Sequence, residues 1–262
     1  MATSTFDFKN RLGQALSGAI EIGAEEPLTY AVFAHCFTCG KDSLAAVRIS
    51  RALAEQGVGV LRFDFTGLGE SQGATLTGVS RNVLDLVDAV GAMNSSGREV
   101  QLLIGHSLGG TAVQAAASAL PSVRAAAVVG SPFEPAHVLK NIREKPGGDQ
   151  EPHDRVVIGG RFFTLAPGFR RDVIEQDQGD RIARLEKALL IVHSPIDDVV
   201  NIADASRIFA TAKHPKSFVS LDTADHLLGR REDAEYCAGV IVAWSRRYIS
   251  PTTGGSVPGR AS

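Results

Sequence analysis

Residues 100–120 read VQLLIGHSLGGTAVQAAASAL. A mostly apolar, strand-like run over 100–104 enters Gly105-His106-Ser107-Leu108-Gly109, and an Ala-rich helical stretch follows at once. A serine between two glycines at a strand-to-helix junction occupies a tight, strained turn that exposes its hydroxyl. The flanking glycines let the backbone turn sharply and let neighbouring elements approach. The helix start behind Ser107 offers free N–H groups and a positive dipole end to a developing oxyanion. Ser107 is therefore the candidate nucleophile.

The same Gly-x-Ser-x-Gly spacing recurs at 69–73, as GESQG. There the chain continues Ala74-Thr75-Leu76-Thr77-Gly78, which is loop-like, so Ser71 reads as a loop residue. The stretch also fails as a dinucleotide fingerprint, because the third glycine position after Gly67 and Gly69 holds Gln72.

Outward from 100–120, short β-branched runs alternate with longer amphipathic ones. Strands are expected near 18–23, 29–34, 58–64, 124–130, 188–192 and 216–221, with helices near 42–56, 78–93, 108–119, 202–212 and 232–248. Several of these strands are apolar on both faces, as in a parallel sheet covered by helices on both sides. The alternation predicts a doubly wound, mostly parallel α/β sheet, with ligands beyond the carboxyl ends of its strands. Residues 131–187 break the pattern. They contain REKPGGDQEPHDR and then VVIGGRFFTL, which reads as a hairpin turning at Gly159-Gly160. We expect one domain over 1–249, a small cap insertion at about 132–187, and a flexible tail or linker over 250–262.

The 262 residues carry a net charge of −2 and are 44% hydrophobic, which disfavours a nucleic-acid or anionic-membrane binder. No apolar run approaches the roughly 20 residues that span a bilayer. The start, MATSTFDFKNRLGQ, has no basic-then-apolar leader pattern, and three cysteines make no disulfide framework. A cytoplasmic location is expected, and the motifs call for no cofactor and no metal.

A serine hydroxyl needs a base to take its proton and a third group to orient that base. Of the seven histidines, His214 precedes the strand at 216–221 and falls at the wrong end of the sheet. His226, in LDTADHLLG, follows that strand and reaches the end where Ser107 lies, so it is the candidate base. Asp197 and Asp198, just past the strand at 188–192, are the candidate acids, and spacing alone does not separate them. Asp222 and Asp225 share the loop of His226 and are expected to shape its turn.

The landmarks HCFTCGKDS (35–43), RFDFTGLGES (62–71), GHSLGG (105–110), IVHSPIDDVV (191–200) and ADH (224–226) resemble those of the α/β-hydrolase superfamily of serine esterases over residues 15–250. That resemblance implies the α/β-hydrolase fold and a Ser107–Asp197–His226 triad. Asp197 is favoured because relatives place the acid in HG-x-x-D-x-x-V, here with Ser194 at the glycine. By position, the resemblance assigns the backbone N–H groups of Phe37 and Leu108 to the oxyanion hole. More narrowly, the wording is similar to the hydrolase half of proteins that fuse such a domain to an OsmC-like, hydroperoxide-reducing domain. That domain would attach at the linker-like tail, as a fused or separate partner. Oligomeric state is left open.

Cys36 and Cys39 form a Cys-x-x-Cys within the loop after the strand at 29–34. A redox site would use Cys39 at a helix start, and a metal site would need a second Cys/His cluster. The expectation instead is that the main chain of this loop matters and that the thiols pack, with a disulfide between them able to form under oxidation. The expected activity is hydrolysis of carboxylic esters of short to medium acyl chain through an acyl-enzyme intermediate. Thioesterase, peptidase or acyltransferase chemistry would use the same triad. A thiol–disulfide oxidoreductase and a non-catalytic binding protein of the same fold are the alternatives from other classes.

Overall fold

The computed structural model describes residues 1–144 and 155–250. Part of the expected cap, 145–154, and the tail from 251 onward lie outside the described residues. Eight strands form the central sheet: β1 (Ala2–Thr5), β2 (Gly18–Ile22), β3 (Thr29–Ala34), β4 (Val58–Phe63), β5 (Val100–His106), β6 (Ala125–Val129), β7 (Ala188–His193) and β8 (Lys216–Ser220). Their order is β1-β2-β4-β3-β5-β6-β7-β8. β1 and β2 pair antiparallel with each other and β2 antiparallel with β4. All pairs from β4 to β8 are parallel.

β3 and β7 are buried along their whole length because side chains alternate between two covered faces. Ala31, Phe33, Leu190 and Val192 pack under α1 (Leu44–Glu55) and α7 (Arg231–Ser245). Val32, Ala34, Leu189 and Ile191 face the other way, toward α2 (Val79–Ser95) and α3 (Leu108–Ala116). α2 shows the periodicity that a one-sided helix needs, burying Val79, Leu86, Ala89, Val90 and Met93. A large apolar side chain of this kind contributes about 1.5–3 kcal/mol on full burial.

The chain winds from β3 to β4 on one side and places β5 on the other side of β3. The carboxyl ends of β3 and β5 therefore flank the topological switch point, where open α/β sheets form their ligand crevice. Between β6 and β7 lie a 3₁₀ segment (Pro135–Asn141), three short antiparallel strands (Arg143–Glu144, Arg155–Ile158, Arg161–Thr164), α4 (Phe169–Ile174) and α5 (Gln178–Ala183). The hairpin turns at Gly159 and Gly160, with Ile158 opposite Arg161. Both glycines have positive φ, +55° and +79°, which a two-residue type I′ turn demands. α6 (Ile202–Thr211) follows β7. Among the described residues no helix is long and apolar enough to cross a membrane.

Candidate active site

The site is built on strand ends. β5 delivers Ser107 into a backbone conformation of φ +54°, ψ −124°, outside the regions that L residues favour. Such a geometry costs about 1–3 kcal/mol and persists only where the surroundings over-determine it. Here the Ser107 N–H is fixed to the Val129 carbonyl of β6 at 2.8 Å, and α3 starts immediately behind. A side chain on Gly109 would collide with the carbonyl oxygens of Ala34 and His35, so glycine is required for α3 to close on the end of β3.

His226 sits in the loop between β8 and α7. Its Nε2 lies 3.0 Å from Ser107 Oγ and its Nδ1 2.8 Å from Asp197 Oδ2. The second oxygen of Asp197 accepts the N–H groups of Val199 at 2.9 Å and Val200 at 2.8 Å. Burial works against charge on this carboxylate, yet the hydrogen bonds from His226 and the two amides outweigh it and hold its pKa below the ordinary value. An ionised Asp197 only accepts, so the ring proton belongs on Nδ1 and the Nε2 lone pair faces Ser107. Asp198, one residue on, is exposed. Geometry therefore separates the two acids that spacing did not.

The N–H groups of Phe37 and Leu108 have no backbone acceptor among the described residues. Phe37 shares the wall of one cavity of about 1020 Å³ with Ser107 and His226, and its ring stacks on Phe169 of α4 at 5.8 Å. Val138, Ile158 and Leu227 add apolar wall, and Arg161 of the hairpin reaches across to the Thr38 carbonyl at 3.4 Å.

The cysteines take the form that oxidation allows. They are joined as a disulfide, with Cα atoms 5.3 Å apart, rather than packing as thiols. Cys39 does not stand at the helix start that the redox reading needs, because Gly40-Lys41-Asp42-Ser43 intervene before α1, so no helix dipole acts on it. The third cysteine, Cys237, is buried in α7, and burial pushes its thiol up to about 12. Among the described residues no group of three or more His, Cys, Asp and Glu side chains could hold a metal ion.

A family model described as the alpha/beta hydrolase family matches residues 31–251. The chain belongs to that family. A solved esterase domain from Rhodothermus marinus is similar, with 43% identity over 95% of this chain and 99% of that one, and a TM-score of 0.79. Est1E from Butyrivibrio proteoclasticus, solved with ferulic acid, is 19% identical over 93% of this chain and 99% of its own, at a TM-score of 0.75, a likeness of fold alone. The uncharacterized protein YfhR of Salmonella typhi is 26% identical over 187 residues, 67% of this chain. The chain spans 57% of the length of that relative.

Three contributors to this alpha/beta hydrolase site went unassigned in the sequence. His106, the residue before the serine, donates from Nε2 to the His226 carbonyl at 2.7 Å. It stays neutral because burial, and then the neighbouring His226, push its pKa down to about 3. Asp64 takes the Lys41 N–H at 2.6 Å and the Glu70 N–H at 3.0 Å, fixing the far end of the cysteine loop to the loop after β4. His35 fixes the near end, with Nδ1 against the Cys36 carbonyl at 2.8 Å and Nε2 accepting from the Phe65 N–H at 3.3 Å. Their signal was present as His106 inside GHSLG and Asp64 inside RFDFTGLGES, but a hydrogen bond across the fold leaves no spacing to read. Ser71 braces the loop after β4, where its hydroxyl donates to the Asp64 carbonyl at 2.5 Å and accepts the Ser17 N–H at 2.9 Å.

Proposed function

We propose that this protein is a serine hydrolase that cleaves carboxylic esters of short to medium acyl chain. The observation that carries the proposal is the unbroken chain from Ser107 Oγ through His226 to Asp197, opening on a cavity. Ser107 attacks the ester carbonyl as its proton passes to His226 Nε2. Asp197 accepts from Nδ1–H and stabilises the imidazolium that forms. The tetrahedral oxyanion is held by the N–H groups of Phe37 and Leu108, worth about 2.7–4 kcal/mol per donor by deletion. His226 then returns the proton to the leaving alkoxide. Water, deprotonated by the same nitrogen, attacks the acyl-serine and releases the acid.

An ester substrate is supported by the 43% identity to the Rhodothermus marinus esterase domain. The apolar walls from Phe37, Val138 and Ile158 suit an acyl chain. The test is a p-nitrophenyl ester series of increasing acyl length, run on wild type and Ser107→Ala. We expect wild-type turnover highest on short to medium chains and background rates for the variant. Equal rates in the two proteins would refute the proposal. Selective cleavage of thioesters or amides over matched esters would move the activity to another acyl-transfer class on the same triad.

A further inference from the structure

The Cys36–Cys39 disulfide lies in the wall of the same cavity as Ser107, and its loop presents Phe37. The bond closes a four-residue turn in which the Cys39 N–H donates to the Cys36 carbonyl at 3.2 Å. Inside that turn Thr38, a β-branched residue, is held at φ +60°, in the left-handed region such side chains avoid. The turn is anchored on both flanks, by His35 at Cys36 and by Asp64 at Lys41. The Cys36 carbonyl belongs to the same peptide group as the Phe37 N–H and is held by His35 and by the Cys39 N–H; beyond it, Phe37 and Thr38 are restrained by the disulfide, the stacking of Phe37 on Phe169 and the Arg161 contact to Thr38.

We propose that this disulfide is a thiol-exchange site at which a dithiol lowers hydrolytic activity by releasing the oxyanion loop. The inference rests on the oxyanion role given above to Phe37. Cys39 is half-buried whereas Cys36 is buried, so an external thiolate reaches Cys39 Sγ first. Attack there forms a mixed disulfide with Cys39 and expels Cys36 as a thiolate, which takes a proton. The second thiol of the dithiol then attacks its own mixed sulfur and releases the Cys39 thiol. Two electrons and two protons pass to the protein, and the dithiol becomes a cyclic disulfide. With the cross-link open, Thr38 relaxes toward negative φ and Cys39 withdraws its N–H from the Cys36 carbonyl, so one of the two hydrogen bonds that fix the Cys36–Phe37 peptide is lost. The amide then loses its aim at the position where the oxyanion develops. Cys237 takes no part, because it is buried in α7 and outside the cavity lining.

The test uses the full chain. Oxidised protein is treated with dithiothreitol under native conditions, new thiols are counted by maleimide mass labelling, and p-nitrophenyl acetate turnover is measured before and after. Fluorophosphonate labelling of Ser107 is followed in parallel. We expect two thiols to appear and kcat to fall about ten-fold, with recovery on reoxidation by oxidised glutathione. A Cys36→Ser/Cys39→Ser variant should sit at the lower rate and ignore the dithiol. Full exposure of two thiols with kcat unchanged would overturn the inference, as would a disulfide that dithiothreitol does not open in the folded protein. In both cases hydrolysis and Ser107 labelling persist and the ester-hydrolase reading stands. An oxidised protein that neither hydrolyses esters nor labels at Ser107 would instead overturn that reading, and this inference with it.

Discussion

Replacing Asp197 with asparagine exchanges one carboxylate oxygen for an NH₂ and reverses one hydrogen bond. In the native site Oδ2 faces His226 Nδ1 at 2.8 Å, and Oδ1 takes the amides of Val199 and Val200 at 2.9 and 2.8 Å. An asparagine of the same shape must leave its carbonyl oxygen on those two N–H groups, because an NH₂ there would oppose two donors. Its NH₂ therefore faces Nδ1, and the imidazole proton moves to Nε2. Ser107, 3.0 Å away, then meets a donor instead of a lone pair and cannot be deprotonated. A wrong-tautomer triad of this kind loses about 10⁴ in kcat, which is about 5.4 kcal/mol at roughly 1.36 kcal/mol per decade. Steady-state hydrolysis of p-nitrophenyl acetate reads kcat and KM separately, and we expect the loss in kcat with KM little changed. Asp198→Asn, at an exposed position, should stay within about two-fold of wild type. An Asp197→Asn variant that keeps more than about a tenth of wild-type kcat, or an Asp198→Asn variant that falls as far, would refute this role for Asp197.

His106→Phe removes the donor to the His226 carbonyl. A buried hydrogen bond of this kind is worth about 1–2 kcal/mol, so kcat should drop about ten-fold with KM held, and His106→Gln should recover part of it; full activity in the Phe variant would contradict this. His106 also predicts a pH dependence of stability. Its folded pKa, about 3, lies below the unfolded 6.5, so between those values the unfolded chain binds a proton that the native state does not. Its contribution is fully present above pH 6.5 and declines as pH falls, by up to about 1.4 kcal/mol per unit. Urea unfolding at about pH 7 and about pH 5 should show wild type losing more stability than His106→Gln, and parallel losses would contradict it. Gly109→Ala should destabilise by about 1–3 kcal/mol, since the new methyl meets the carbonyls of Ala34 and His35, and an unchanged Tm would show that α3 does not close there.

The parallel part of the fold was legible because burial on both faces writes itself as uninterrupted apolar runs. β5 carries VQLLI and β7 carries ALLIV, and their ends fall within two residues of the expected ones. β1 was missed for the opposite reason: Ala2–Thr5 is exposed throughout, so it carries neither an apolar run nor an alternation. α4 and α5 were missed because six residues are too few to display a helical period. The strained strand-to-helix turn at Ser107 was legible because its conformational demand is local and is met by adjacent glycines. Asp197 could be narrowed but not separated from Asp198 by spacing, because what distinguishes them is which carboxylate turns inward onto His226. The disulfide could be named as an outcome of oxidation but not assigned, for a related reason. Its closure depends on a turn that places two Cα atoms 5.3 Å apart, and Cys-x-x-Cys alone does not specify that turn.

In the proposed reaction Ser107 carries the acyl group between the two halves. Wild-type protein mixed with excess p-nitrophenyl acetate, quenched in acid during turnover and digested for peptide mass spectrometry, tests it directly. We expect an acetyl group on Ser107, a burst of p-nitrophenol close to one per chain if deacylation is the slower step, and neither signal in Ser107→Ala. An acetyl group found on another side chain, or steady hydrolysis by the alanine variant with none on residue 107, would contradict it.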